Sequence, residues 1–218
     1  MKSSPGMNAS YHHGDLKTAV LSYALEQLER DGLESLSMRE MAKAMGVSHT
    51  AAYRHFSDKR SLLDAVALHG FETLRQACLQ AIAPGNLPRE RLRACGLAYV
   101  RFGLAQPKLL IHMFHAVAQA EASPALTAAG AALFVVLRDL VEEGQRLGPF
   151  RAGDAHAAAH ACWAMVHGLA TLLSIGRVQD TSPEHTPWMD SAATSLDLFL
   201  DGLTQACSPS TPVGVHPA

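Results

Sequence analysis

Apolar side chains recur along this chain at intervals of three and four residues, the spacing of one face of an α-helix. In the first such segment Leu16, Val20, Ala24 and Leu28 form a single apolar stripe, which Gly32 ends. The same period returns between proline and glycine breaks along the rest of the chain, and the alternation typical of strands is almost absent. The pattern therefore predicts an all-α protein with about nine helices.

The predicted helices follow one another closely between these breaks. They cover about residues 15–31, 37–46, 49–56, 58–82, 89–104, 108–120, 123–147, 154–176 and 189–206. The two ends of the chain are rich in Ser, Pro and Gly, which is typical of flexible tails. We expect tails at 1–10 and 207–218, a small helical domain at 11–60 and a larger one at 61–206.

Two of these helices are short, consecutive and capped. Ser37 is a suitable N-cap for the second helix, Glu40 completes a capping box three residues later, and Ser48 caps the third helix. Gly46 between them can take the left-handed conformation of a tight turn. Such a pair is typical of a helix-turn-helix, whose second helix enters the major groove of DNA. An ordinary pair of packed helices is the alternative, but it leaves the polar face of the third helix unexplained.

Three runs of sequence surround this unit: YHHGDL at 11–16, GLESLSMREMA at 32–42, and GVS at 46–48 followed by AYRHFSDKRSLL at 52–63. Together they resemble the TetR family of bacterial transcriptional regulators over about residues 11–70. The most specific part is the pattern Tyr-x-His-Phe-x-x-Lys that begins at Tyr53.

Two later runs, YVRFGLAQP from Tyr99 and WAMVHGL from Trp163, look like the C-terminal domain of a subgroup with a Trp…His-Gly signature. The resemblance implies a DNA-binding transcriptional regulator, with a sensor body behind the helix-turn-helix. It also implies a small-molecule inducer, whose identity the sequence does not give.

The resemblance implies DNA contacts for nine residues: Ser37, Arg39, Ser48, His49, Thr50, Ala51, Tyr53, His55 and Lys59. Ser37 would bind a phosphate at the start of the second helix, where free N–H groups also favour an anion. Lys59 would bind another phosphate, and Arg39 would lie near the groove edge within reach of a base. Ala51 departs from family members with a polar residue at this position, which leaves a thymine methyl as its only base contact.

Aromatic and methionine side chains of the larger domain are candidates for an apolar ligand pocket. They are Phe71, Phe102, Met113, Phe114, Phe134 and Trp163, with His167, His112 or His115 as polar anchors. A plain hydrophobic core is the alternative for each of these residues.

The last two long helices are the candidates for a dimer face. Ala157, Ala161, Ala164 and Gly168 lie at helical spacing and are small enough for the close approach of a partner helix, as is Thr171. The last helix carries an apolar stripe of Leu196, Phe199, Leu200 and Leu203. Two helices from each subunit would form a four-helix bundle, so we expect a homodimer.

Charge and cysteine content change the picture little. The net charge is −2, and residues 1–60 carry 8 Lys/Arg and 7 Asp/Glu, so charge alone does not reveal a nucleic-acid binder. The 4 cysteines are widely spaced and the N-terminus has no apolar signal segment, which favours a cytoplasmic protein with reduced thiols.

Residues 155–176 carry no Asp, Glu, Lys or Arg, but their histidines, alanines and glycines favour a buried helix over a membrane span.

An enzyme is the alternative from a different class. His156 and His160 have the spacing of zinc ligands, but the Glu of an H-E-x-x-H motif is missing and Cys162 points to another face. There is no glycine-rich phosphate loop and no G-x-S-x-G motif. We therefore expect no enzymatic activity, no cofactor and no assigned metal ligand, while the sequence leaves open whether this pair binds a metal. A purely structural helical adaptor leaves the capped pair of helices unexplained. The sequence predicts a homodimeric repressor that a ligand releases from a palindromic DNA operator.

Overall fold

The computed structural model describes residues 13–179 and 188–204 of the chain. Within these ranges it contains α-helices and one short 3-10 turn, Leu33–Ser35, and no strand. The nine α-helices are α1 His13–Asp31, α2 Met38–Ala44, α3 His49–Tyr53, α4 Lys59–Ala81, α5 Pro88–Ala105, α6 Pro107–Val117, α7 Pro124–Leu147, α8 Ala155–Gln179 and α9 Trp188–Thr204. The prediction of an all-α fold is confirmed, and both predicted tails lie outside the described residues.

The third helix is shorter than the sequence predicts. It ends at Tyr53, three residues before the predicted end at Phe56. The cause lies in the next helix, where the backbone N–H of Ser61 donates to Oδ1 of Asp58 at 2.7 Å, so that Asp58 caps α4. The chain must leave the helical path before this cap, and the Phe56 side chain is buried in the connection.

Contacts divide the chain into two compact units. The first combines Met1–Thr73 with Gln106–Gly130, and the second combines Leu74–Ala105 with Ala131–Ala218. The predicted boundary between residues 60 and 61 separates two functions, DNA binding and ligand binding, whereas the two units are defined by their internal contacts. The predicted boundary therefore stays a prediction.

The core of the first unit is built from α1, α2, α4 and α6. The predicted stripe of α1 is buried throughout, and Val20 and Ala24 have no exposed surface. Phe71 of α4 and Met113 of α6 are likewise fully buried. Each large apolar side chain buried in this way stabilises the fold by about 1.5–3 kcal/mol relative to exposure.

The second unit is organised around α5, which packs against α8 and α9. A Cβ atom on Gly96 of α5 would lie 2.7 Å from Cδ2 of Leu196, so a larger residue here would force the Leu196 side chain of α9 to shift. Arg93 of α5 adds a two-pronged ion pair with Asp197 of α9, with N···O distances of 2.7 and 2.9 Å. This pairing lowers the pKa of the Asp197 carboxyl.

Candidate DNA interface and sensor core

The turn between α2 and α3 has the geometry of a helix-turn-helix. Ser37 is extended at the start of α2, and its Oγ accepts a hydrogen bond from the backbone N–H of Glu40 at 3.4 Å. Gly46 has a φ of +66°, a conformation that L side chains rarely adopt. The N–H of Val47 then donates to the carbonyl of Ala42 at 3.0 Å and closes the turn. The predicted cap and the predicted glycine turn are both present.

The third helix is capped at its start and has exposed polar residues. Ser48 caps α3, since its Oγ accepts from the N–H of Ala51 at 3.2 Å. Ser48 and Thr50 are exposed, and Tyr53 keeps 38% of its surface accessible. Ala51 is half-buried. Ser48 at the N-cap of α3 and Thr50 and Tyr53 within the helix are therefore all exposed.

The other predicted DNA contacts lie on α2, on α3 itself and in the segment that leads into α4. Arg39 on α2 is exposed, whereas His55 and Lys59 are half-buried. The side chain of His49 lies outside what the structure describes. Two further exposed cations, Lys43 and Arg54, were not among the predicted contacts. Periodicity gave no signal for them, because it does not say which cation beside a helix-turn-helix remains solvent-exposed.

A reciprocal cap joins α1 to α6 inside the first unit. The Glu29 carboxylate accepts hydrogen bonds from the backbone N–H groups of Leu109, at 2.6 Å, and Lys108, at 3.4 Å. In return, Nζ of Lys108 donates to the carbonyl of Arg30 at 2.9 Å. Burial raises the pKa of the Glu29 carboxyl despite the two N–H groups, which lower it. The first helix of the DNA-binding region is thus fixed to the N-terminus of α6.

A buried histidine forms a second polar link in the first unit. Nε2 of His112 on α6 lies 2.9 Å from the carbonyl oxygen of Leu63 on α4, so Nε2 carries the proton. Its Nδ1 is buried and has no hydrogen-bond partner among the described residues. Burial lowers the pKa of His112, because a second proton would create a poorly solvated charge. His112, a candidate ligand anchor, is therefore occupied in joining two helices.

The predicted pocket residues fall into two groups, one in each unit. In the first unit, the rings of Phe71 and Phe114 meet edge to face with centroids 5.2 Å apart. A Cβ atom on Gly70 would overlap Sδ of Met113, so α4 and α6 are in close contact here. This first group consists of Phe71, Met113 and Phe114.

The second group is centred on a hydrogen-bonded network between α5 and α8. The Tyr99 hydroxyl lies 2.8 Å from Nδ1 of His167, and the Trp163 side chain hydrogen-bonds the same hydroxyl. Burial raises the pKa of Tyr99 and lowers that of His167, so both groups stay neutral. The indole N–H donates to the tyrosine oxygen, and the tyrosine hydroxyl shares one hydrogen bond with Nδ1 of His167. The Trp and His of the predicted signature therefore converge on Tyr99, a residue that the signature itself does not contain.

Aromatic contacts extend this network along α8. The ring centroid of Phe134 on α7 lies 6.4 Å from that of Trp163, and also meets His156 and His160 at 5.2 and 4.6 Å. Phe102, the remaining candidate, is buried on α5. Phe134, Trp163 and His167 thus belong to one continuous aromatic group in the second unit.

The exposed faces of α8 and α9 are unusually apolar. Ala157, Ala161 and Ala164 are exposed, and Leu172 keeps 69% of its surface accessible. On α9 Leu198 is 70% exposed. A groove of about 430 Å³ runs between the two helices and the loop before α8, lined by residues that include Ala158, Ala161, Leu198, Phe199 and Gly202.

One part of the expected dimer face is internal. Leu196 and Leu200 of the predicted α9 stripe are buried within the chain, with Leu196 near Gly96 of α5. A single stripe could not distinguish packing against α5 from packing against a partner subunit, because both require apolar residues. The exposed part of α9 is instead formed by residues such as Leu198 and Gly202.

Within the described residues, two helices are long and apolar enough to cross a membrane by length and composition alone. They are Pro124–Leu147 and Ala155–Ile175, with 22% and 28% of their apolar windows buried. The uncharged run at 155–176 corresponds to the second. Such helices also occur in soluble proteins, so this observation is weak as an argument for a membrane span.

Comparisons with known proteins agree with this geometry. The family model for bacterial regulatory proteins of the tetR family matches residues 20–66, and the model for a tetracyclin repressor-like C-terminal domain matches residues 92–198. The class C tetracycline repressor of Escherichia coli is 47% identical over 51 residues, which is 23% of each chain. The chain thus matches about a quarter of the length of this curated relative.

Solved structures extend the similarity over most of the chain. A protein of unknown function from Rhodococcus sp. RHA1 is 35% identical, with a TM-score of 0.81, over 91% of this chain and 100% of that one. AibR, solved with isovaleryl coenzyme A and operator DNA, is 22% identical, with a TM-score of 0.64, over 86% of this chain and 97% of that one. Since the two family models match its helix-turn-helix and its C-terminal helices in turn, the chain belongs to the TetR family of bacterial regulatory proteins.

Proposed function

We propose that this protein is a cytoplasmic, homodimeric repressor that a small molecule releases from a palindromic DNA operator. Its family consists of DNA-binding transcriptional regulators and not of enzymes. The observation that carries the proposal is the short α3 helix, which is capped by Ser48 and leaves Thr50 and Tyr53 exposed. Hydroxyl groups of this kind can meet base edges or phosphates when a short helix enters the major groove.

The proposed DNA contacts around α3 are of two kinds: contacts to phosphates position the protein on the duplex, and contacts to bases recognise the sequence. Lys59 at the start of α4 supplies a phosphate contact, and a cation at a helix N-terminus is otherwise electrostatically unfavourable. The exposed Lys43 and Arg54 add two further positive charges for the backbone. Ser37 also faces a phosphate, with its Oγ lone pair already engaged by the N–H of Glu40. Arg39 is exposed and is the candidate for reading a guanine. The set is completed by His49, Ala51 and His55, which we assign to the same groove.

The ligand would bind beside the aromatic residues of the sensor body. The Tyr99 hydroxyl shares a hydrogen bond with Nδ1 of His167. His167 therefore places a polar group in an apolar, aromatic surrounding, a combination typical of small-molecule sites. Phe134 and Trp163 would supply the apolar surface, with Phe102 of the same unit as a further candidate. Phe71, Met113 and Phe114 stay candidates for a ligand contact within the first unit. AibR, which has the same fold, was solved with an acyl coenzyme A, and this supports a small-molecule ligand without identifying it.

Within the first unit, α6 would pass any displacement on to the helices that bind DNA. This helix is tied to α1 by Glu29 and to α4 by His112. A shift of α6 would therefore move the two helices that carry α2 and α3.

The exposed apolar faces of α8 and α9 support a dimer, because exposed patches of this kind mark interaction surfaces.

Two substitutions test the proposed DNA contacts. Lys59→Ala should weaken binding to operator and random duplexes by the same factor and reduce the salt slope by about one unit per subunit. Arg39→Ala should weaken operator binding more, because an arginine on guanine is worth about 1–3 kcal/mol of discrimination. Fluorescence anisotropy with the DNA upstream of the coding region, and with a scrambled duplex, measures both. If both variants lost affinity by the same factor on every sequence, Arg39 would be only a phosphate contact. If wild type bound neither duplex, the proposal would be contradicted.

A further inference from the structure

Two histidines lie one turn apart on the exposed side of α8. The ring centroids of His156 and His160 are 4.5 Å apart, and their planes meet at 72°. Both side chains are exposed to solvent. Two imidazoles at positions i and i+4 lie on one helical face, from which their nitrogens can reach the same metal ion.

A backbone contact fixes the protonation of one ring. Nδ1 of His160 lies 3.1 Å from the carbonyl oxygen of His156. Since a carbonyl oxygen only accepts, Nδ1 carries the proton and Nε2 of the neutral ring keeps its lone pair. Histidines that bind metals commonly donate their other N–H to a backbone carbonyl, which fixes the tautomer and the ring orientation. His160 already has this arrangement.

A side chain from the neighbouring helix limits the motion of both rings. The centroid of Phe134 lies 5.2 Å from that of His156 and 4.6 Å from that of His160. Among the described residues no carboxylate lies within ion-pair distance of either imidazole, so none competes for their nitrogens. Restricted rings lose less conformational entropy when they bind an ion.

From this geometry we infer that His156 and His160 form a binding site for a divalent first-row transition ion. The described residues contain no group of three or more metal-ligating side chains, so the protein supplies two ligands and water completes the coordination shell. Imidazole suits Cu²⁺, Ni²⁺ and Zn²⁺, whereas Mg²⁺ and Ca²⁺ prefer oxygen ligands. The affinities should follow the general order in which Cu²⁺ binds more tightly than Ni²⁺ or Zn²⁺.

The experiment is calorimetric titration of the tag-free, metal-stripped full chain with Ni²⁺ alone. Wild type should bind one ion per chain, and His156→Ala and His160→Ala should each weaken binding about 10- to 100-fold. His115→Ala is the matched control, because His115 is also exposed but its neighbour His112 is buried and bonded to Leu63. This control should bind like wild type. Mg²⁺ should produce no heat of binding.

A second measurement identifies the ligands directly. With Cu²⁺, electron paramagnetic resonance should show coupling to two imidazole nitrogens in wild type and to one in either single variant. Both positions are exposed, so the variants should keep the helical circular dichroism of wild type. The proposal is overturned if wild type does not bind Ni²⁺, or if the double variant His156→Ala, His160→Ala binds it with unchanged affinity.

Discussion

Tyr99 connects the two signature residues of α8 through a single hydroxyl. It accepts from the Trp163 side chain and shares a hydrogen bond with Nδ1 of His167, and all three side chains are at least half-buried. A polar group that loses its hydrogen-bond partner destabilises the fold far more when it is buried than when water can replace the partner. The network therefore holds α5 and α8 in register.

Tyr99→Phe tests this network, since it removes the hydroxyl and keeps the ring. The indole N–H and Nδ1 of His167 would both lose their partner, so the free energy of unfolding should fall by about 1–3 kcal/mol. Urea unfolding followed by circular dichroism measures the change. Tyr23→Phe on α1 removes a hydroxyl from another half-buried tyrosine and should cost less than about 0.5 kcal/mol. Equal stability of wild type and Tyr99→Phe would show that the network contributes nothing to folding.

At the scale of elements, the N-terminus of α6 is capped by a side chain of another helix. Its N-cap residue, Gln106, makes no side-chain capping bond, and Glu29 of α1 fills this role. The free N–H groups of a helix N-terminus favour a carboxylate both by hydrogen bonding and through the helix dipole. This makes the position of α1 depend on α6.

Glu29→Ala should leave two N–H groups of α6 without their carboxylate. Loss of an N-cap costs about 0.5–2 kcal/mol, and we expect an unfolding free energy lower by that amount together with weaker operator binding. Glu26→Ala removes an exposed carboxylate from the same helix and should leave both quantities unchanged. Chemical denaturation and DNA anisotropy on the same preparations provide the comparison. Identical behaviour of the two variants would mean that the cap does not position α1.

Local features of these elements could be predicted from the sequence. The α1 stripe, the Ser37 cap and the Gly46 turn all follow from residues a few positions apart, and the structure contains each of them. The Glu29 cap and the Tyr99 network join residues about 70 to 80 positions apart, and periodicity contains no information on such pairs. For the same reason, the apolar stripe of α9 did not reveal that Leu196 packs against α5.

At the scale of the whole molecule, the proposed homodimer rests on the apolar surface of α8 and α9. Gly168 lies on the predicted contact face of α8, and a Cβ atom there would meet no atom within 4 Å. An arginine at this position therefore fits the isolated chain, but in a dimer it would place an unpaired charge in a dry interface.

Gly168→Arg should convert the protein to a monomer with little change in helical content. Sedimentation velocity measures the change, and operator affinity should fall because a single half-site binds weakly. Ile111→Arg is the control, since Ile111 is 61% exposed and belongs to α6, not to the proposed dimer helices α8 and α9. It should sediment as wild type does. A Gly168→Arg protein that remained a tight dimer would place the interface elsewhere.

The central claim is that α3 reads DNA as part of a two-fold dimer, and selection from a pool of random duplexes tests it most directly. The tag-free wild-type chain should enrich a palindrome whose half-sites lie about one helical turn apart, or a multiple of it. The double variant Thr50→Ala, Tyr53→Ala should fold normally but enrich no such sequence. The account would be contradicted if wild type enriched no sequence, or if the double variant enriched the same palindrome equally well.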